Sequence, residues 1–240
     1  MEAENWPKSA VVFGSGGGIG AALCRRLVAR GVHVRAGSRS GEVTEGCEGF
    51  RFHLDDESSI AGAAEAMRDD APDLVLVATG VLTLTDGTGP ERSLKALDGA
   101  AMARVLYLNT IGPALVAKHM LPLLPREGRS VFAMLSARVG SISDNRLGGW
   151  HSYRASKAAL NMLVRNFSIE MGQTHREAVV VGLHPGTVDT ALSEPFQSNV
   201  PQGQLQTPDE AARNLLDVVD GMDADDSGKV FDWRGEAIPA

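Results

Sequence analysis

The chain has 240 residues, 43% of them hydrophobic and 22% charged, a balance that suits a folded globular protein with a sizeable core. Its formal net charge of −7 argues against nucleic acid or an anionic membrane surface as a partner. Cys24 and Cys47 make no disulfide framework, no Cys/His cluster has zinc spacing, and the acidic start "MEAENWPKSA" is no signal peptide, so a reduced, cytoplasmic, metal-free setting is expected.

"SAVVFG" (9–14) is a β-rich run that ends in a glycine cluster, and "IGAALCRRLVARG" after it has helical spacing up to Gly31. "VHVRAGSR" reads as a second strand, "FRFHLD" (50–55) alternates as a third, and "ESSIAGAAEAMRDD" is an Ala-rich helix. "DLVLVATG" is an uninterrupted apolar strand of the kind buried on both faces. The longest apolar run, "LVLVATGVL", is too short to span a bilayer, and no membrane partner is expected. Residues 97–124 read as one or two helices, "SVFAMLS" as a strand, residues 150–171 as a helix and "AVVVGLHPG" as a strand. A polar loop rich in Pro, Gln and Ser follows. "TPDEAARNLLDVVDG" then opens on the N-cap pair Thr207-Pro208 and closes at Gly221, and "KVFDW" is a last short strand.

Strand and helix alternate throughout without a repeat or linker, which predicts one domain over 1–240. The fold class is α/β, a Rossmann-type doubly wound parallel sheet with helices on both faces in three α/β/α layers. Ligands of such sheets bind beyond the carboxyl ends of the strands. Those ends carry Gly14 to Gly20, Ser38-Arg39, Asp55, Ala78-Thr79-Gly80, Ser136 and His184-Pro185-Gly186.

"GSGGGIG" follows the first strand and opens the first helix, where glycines let the backbone approach a pyrophosphate and free N–H groups face it. Gly14, Ser15, Gly16, Gly18, Ile19 and Gly20 are the candidates for that contact. The second strand ends in Gly37-Ser38-Arg39 with no carboxylate to accept from the ribose hydroxyls of NAD. Arg39 offers a charged donor fork suited to a 2′-phosphate, with Ser38 as helper and Arg35 as a weaker one, so NADP is expected before NAD. A solvated loop arginine is the alternative.

In "WHSYRASKAALNML", Tyr153 and Lys157 stand one helical turn apart beside small residues. Alone, the pair is compatible with surface decoration. Together, Gly14-x-x-x-Gly18-Ile19-Gly20, Tyr153-x-x-x-Lys157, Asn109 in "LYLNTIGP" and "HPGTVDT" resemble the short-chain dehydrogenase/reductase family over nearly the whole chain. "GSISDNRLGGWHSYRASKAALN" and "KVFDWRGEAIP" are similar to a subgroup that includes the bacterial C-factor-like reductases. The resemblance implies a sheet of about seven strands and carbonyl–alcohol interconversion by hydride transfer with NADP(H). Tyr153 is then the acid/base. Lys157, held near the nicotinamide ribose, together with the positive ring is expected to lower the tyrosine pKa from its usual value near 10.

Family resemblance further assigns Asn109 to a relay water, which a helix-kink or capping asparagine would also satisfy. Asp55 matches a position near the adenine and reads equally well as the N-cap of the next helix. Gly80, after Ala78 and Thr79, lets the backbone pass close to the cofactor. Pro185, Gly186, Val188 and Thr190 match the segment that positions the nicotinamide carboxamide.

One departure concerns the catalytic serine, which the family places three residues before a glycine. In "LSARVGS" that place holds Ala137, so Ser136 is the first candidate and Ser141 the second. Ala137 keeps a different reading open, a catalytically weak NADP-binding sensor or signalling protein. A substrate loop is expected at about 187–207, with Leu192 and Phe196 as pocket lining or as ordinary loop packing. His119, His151, His175 and His184 read as packing or surface residues. The expected partner is a small carbonyl or alcohol substrate. Helices over 97–124 and 150–171 suit a homodimer or tetramer, although burial within one chain explains them equally.

Overall fold

The computed structural model describes residues 6–42, 44–199, 201 and 203–240. In chain order the elements are β1 (Ser9–Phe13), α1 (Gly18–Ala29), β2 (His33–Ser38), β3 (Glu48–Arg51), α2 (Glu57–Glu65) and β4 (Leu74–Val77). Then come α3 (Gly99–Leu106), α4 (Gly112–Met120), β5 (Ser130–Leu135), α5 (His151–Met171) and β6 (Ala178–His184). The two-residue strands β7 (Thr187–Val188) and β8 (Leu205–Gln206) precede α6 (Pro208–Asp220) and β9 (Val230–Asp232).

Seven strands form one sheet in the order β3-β2-β1-β4-β5-β6-β9, every neighbouring pair parallel. The order reverses between β1 and β4, so the connections after these two strands diverge and leave a crevice at their carboxyl ends. β7 and β8 pair separately and frame the loop between them.

Each strand side packs a helical layer. On one side Val12, Leu76 and Leu183 meet Leu23 and Leu27 of α1 and Leu215 and Leu216 of α6. On the other, Val11, Phe13, Val75 and Phe132 meet Ile60 of α2, Val116 and Met120 of α4, and Leu160 and Val164 of α5. Complete burial of one such side chain contributes roughly 1.5–3 kcal/mol, and this double coverage is why β4 is apolar at all four positions.

β3 differs from the sequence expectation of 50–55. The chain leaves the sheet after Arg51 because two local bonds turn it into α2. Ser59 Oγ accepts the His53 N–H at 2.9 Å, and Asp56 Oδ1 accepts the Ser58 N–H at 3.0 Å. Asp56 is therefore the N-cap of α2, which removes that role from Asp55.

The stretch Gly99–Leu123 runs as one rod of 25 residues, long and apolar enough to cross a membrane by length and composition. "LVLVATGVL" did not reach that length. The rod packs as a core helix, burying Gly112, Pro113, Val116, Ala117 and Met120. A π turn at Tyr107–Ile111 interrupts it between α3 and α4, with Asn109 and Thr110 buried.

Candidate active site

The glycine loop is tied to β2 through one carbonyl. The N–H groups of Gly14 and Ser15 and the Ser15 hydroxyl all donate to Gly37 O, each at 2.9 Å. Gly14 takes φ +96°, and a Cβ there would lie 2.9 Å from the Ala78 carbonyl. A Cβ on Gly20 would lie 2.2 Å from Gly14 O, so this helix can enter the turn only with glycine at that position. Ser15 is buried and braces the loop from behind. α1 starts from Gly17 without a side-chain cap and without an acidic residue in its first turn, a terminus that favours an anion.

At the end of β2 the two arginines differ. Arg35 is neutralised: its guanidinium pairs with Asp70, reaches Glu48 at 3.5 Å and donates to Asp70 O at 2.9 Å. Arg39 is exposed and has no hydrogen-bond or ion-pair partner among the described residues. Ser38 is buried, and its hydroxyl donates to Glu42 O and accepts the Gly41 N–H, both at 2.9 Å. It shapes the loop that carries Arg39. Asp55 is engaged by both Nη atoms of Arg104, one of them at 2.8 Å, and that ion-paired hydrogen bond holds its carboxyl below the usual range.

Beyond the strand ends lies a cavity of about 380 Å³. Its walls include Gly18, Ile19 and Gly20, the Ala78-Thr79-Gly80 turn, Ser136, Tyr153 and Lys157, and Pro185, Gly186, Val188 and Thr190. A Cβ on Gly18 would lie 2.7 Å from Thr190 Cγ2, so the glycine loop and the post-β6 segment touch. Leu192 and Phe196 from the loop over 187–207 also line it. Position 200 and position 202 of that loop lie outside the described residues.

Asn109 lies behind this wall, fully buried. Its amide nitrogen donates to Val81 O at 2.9 Å and to Ser156 Oγ at 3.1 Å, and its Oδ1 accepts the Val81 N–H at 2.8 Å. Both amide donors are thus engaged by protein, and the side chain stitches the exit of β4 to α5 from a kink in its helix. A Cβ on Gly80 would lie 3.4 Å from Asn109 Oδ1 and 3.6 Å from Lys157 Nζ, which shows how closely this turn passes them.

Lys157 Nζ donates to Leu135 O at 2.8 Å and stands 5.8 Å from the centroid of the Tyr153 ring. Burial pulls its pKa down to about 8. Burial also pushes the Tyr153 phenol up to about 12. In the free protein burial thus sets the direction, whereas the lowering expected from Lys157 and the positive ring concerns the cofactor-loaded site.

Ser136 lines the cavity, and its hydroxyl donates to Asn161 Oδ1 at 2.5 Å. Ala137 presents a methyl group beside it. Ser141, the second candidate, is outside the lining; its buried Oγ accepts the Asp144 N–H at 3.1 Å and closes a turn whose other residues are exposed. His184 lies in the cavity wall, which corrects its reading as packing or surface. Its Nδ1 is buried without a partner, and burial drops its pKa to about 4, so the ring is neutral at physiological pH.

Three further residues escaped the sequence reading. Asn161 holds Ser136. Trp150 lines the cavity between Tyr153 and Phe196. Glu91 is a buried carboxylate at the start of α5. Only Trp150 carried a local signal, the Gly148-Gly149 pair before it.

A family model described as short chain dehydrogenase matches residues 8–201. The chain belongs to the short-chain dehydrogenase family. C-signal of Myxococcus xanthus is 38% identical over 147 residues, covering 61% of this chain and 83% of that protein. The 1-hydroxy-2-glutathionyl-2-methyl-3-butene dehydrogenase of Rhodococcus sp. strain AD45 is 29% identical over 225 residues, covering 91% and 93%. Among solved structures, the NADPH-bound carbonyl reductase from chicken fatty liver superposes with a TM-score of 0.82 at 25% identity, covering 97% of this chain and 94% of that one. This short-chain dehydrogenase is an oxidoreductase by family, and the doubly wound parallel sheet expected from the alternation, with the seven strands that the resemblance implies, is the one found.

Proposed function

We propose that this short-chain dehydrogenase uses NADP(H) to interconvert a carbonyl compound and an alcohol, with Tyr153 as acid/base. The observation that carries the reading is the placement of Tyr153 and Lys157 on one wall of a cavity whose other wall is the glycine loop. Two further features support NADP(H) over NAD(H): Arg39 has no ion-pair partner among the described residues at the end of β2, where a 2′-phosphate is recognised, and the chicken-liver reductase of the same fold is NADPH-bound.

The cofactor supplies or takes up the hydride at the carbonyl carbon. The protein's part is the proton and the geometry. Burial keeps the Tyr153 phenol protonated at neutral pH, so it can donate its proton to the carbonyl oxygen as the alcohol forms, and take it back in the reverse direction. Lys157, fixed by Leu135 O, supplies a positive charge beside the phenol and would hold the nicotinamide ribose of a bound cofactor. The Ser136 hydroxyl donates its hydrogen bond to Asn161 Oδ1 and Ala137 has no hydroxyl, which leaves Tyr153 as the acidic hydroxyl for the substrate oxygen. Gly16, Gly18 and Ile19 would hold the pyrophosphate, and Pro185, Gly186, Val188 and Thr190 would hold the carboxamide.

Loss of NADPH absorbance with a panel of aldehydes, ketones and quinones tests the activity. Tyr153→Phe is expected to lower turnover by about 10²–10⁴-fold while NADPH still binds. Arg39→Ala is expected to weaken NADP(H) and spare NAD(H); equal weakening of both would refute the phosphate assignment. Cofactor binding without turnover, indifferent to Tyr153→Phe, would make the protein a sensor instead. The exposed Met162 and Ile169, seven residues apart on one face of α5, support self-association through that helix, which sedimentation would read.

A further inference from the structure

The approach to α5 is left-handed. Gly148, Gly149 and Trp150 take φ of 62°, 63° and 51°, and Trp150 is the sole non-glycine residue with positive φ among the described residues. An L side chain in this region is strained where glycine is not, and such strain persists only where surrounding contacts impose it. Here they do. The Trp150 N–H donates to Glu91 O at 2.5 Å, and the Glu91 carboxylate accepts the Ser152 N–H at 3.0 Å and the Ser152 hydroxyl. The N-caps of α2, α3 and α6 are extended in the ordinary way, so the left-handed start belongs to α5 and not to helix initiation as such.

The strained backbone delivers an indole to the cavity wall. The ring meets Tyr153 edge-on, with centroids 6.2 Å apart at 71°, and meets Phe196 at 5.2 Å and 64°. Ala137, Val139 and Leu192 complete an apolar surface around this aromatic pair. Among the described residues no Asp, Glu or Arg lines the cavity, and the one ammonium, Lys157, is bonded to Leu135 O. An anionic or cationic substrate would find no partner beside the indole. A flat uncharged ring would find two aromatic faces next to the proton donor.

We propose that Trp150 is a specificity-determining residue whose left-handed backbone presents, with Phe196, an aromatic wall that selects uncharged carbonyl compounds bearing a flat ring next to the reacting group. The proposal rests on the carbonyl–alcohol reading for its chemistry and on the ring contacts for its selectivity, and the two are separable.

The test compares kcat/KM for benzaldehyde and propanal, and separately the binding of benzamide, an unreactive ring ligand, to the NADP-loaded protein. Trp150→Gly is expected to lower the benzaldehyde-to-propanal ratio by roughly tenfold or more, chiefly through KM, and to weaken benzamide in parallel. Trp150→Phe should retain most of the ratio, and Phe196→Ala should move it in the same direction by less. NADPH affinity and the melting transition verify that each variant is folded; should Trp150→Gly not fold, Phe196→Ala decides. An unchanged ratio and unchanged benzamide binding in the folded variants overturn the proposal. A parent that reduces both aldehydes with no response to these substitutions refutes the ring site and keeps the activity. A parent that binds benzamide through Trp150 yet reduces neither aldehyde keeps the ring site and refutes the activity.

Discussion

Helices α5 and α6 begin by different means. α6 opens on a local capping box: Thr207 Oγ1 accepts the Glu210 N–H at 3.2 Å, Glu210 Oε2 accepts the Thr207 N–H at 2.8 Å, and Pro208 occupies the first turn. α5 has no cap from its own N-cap residue. Its anion comes from Glu91, 61 residues before the Ser152 group that it accepts from. A helix that covers the sheet is started by four consecutive residues. The helix that carries Tyr153 and Lys157 is anchored by a distant segment, so its first turn inherits the position of the loop after β4.

The largest expected effect is on the distant anchor. Glu91→Ala leaves the buried Ser152 N–H and hydroxyl without their charged acceptor and is expected to cost about 3 kcal/mol or more in thermal unfolding. It should also lower kcat/KM, because the turn bearing Trp150 and Tyr153 loses its fixed point. Thr207→Ala removes the local cap and is expected to cost about 1 kcal/mol, a shift of roughly 2–4 °C in Tm, with kinetic constants unchanged. Equal kinetic damage from both substitutions would erase the distinction between the two helix starts.

The smallest effect sharpens the comparison through pH. Burial pushes the Glu91 pKa upward, but the hydrogen bonds from Ser152 overcome it and hold the carboxyl below its ordinary value. A group with a depressed folded pKa adds stability above its unfolded pKa, about 4.3 for glutamate, and loses that contribution as pH falls through the folded value. The stability difference between the parent and Glu91→Gln should therefore be full at neutral pH and shrink as pH drops below about 4.3. A difference that stayed constant through this window would show that the carboxylate charge is not what anchors α5.

Much of the scaffold is written in local pattern. Double burial reads out as the apolar run of β4, the Gly14–Gly20 cluster marks the turn that only glycine can make, and Thr207-Pro208 marks a helix start. The Tyr153 and Lys157 spacing likewise places both side chains in one wall. What escaped were properties made by partners far apart in the chain. Glu91 sits in a polar loop with nothing to set it off from a solvated carboxylate until it meets Ser152. Nothing near Ser136 in the sequence announces that its hydroxyl donates to Asn161, 25 residues away. Asp55 reads as a possible cap of the next helix, and only the structure shows it paired with Arg104 and its neighbour Asp56 in the cap position. The burial that raises the Tyr153 pKa in the free protein is likewise invisible in spacing, which counts charges and not the surroundings of a side chain.

The π turn that holds Asn109 has a consequence for length. Such a turn contains one residue beyond what a regular α-helix requires. Excising a single residue between Tyr107 and Ile111 would let regular α-helical bonding run through, so the side chains of α4 would keep their face on the sheet while Asn109 lost its Val81 and Ser156 partners. The surplus residue is therefore what holds Asn109 against the exit of β4, and its loss should damage the site more than the packing of the rod.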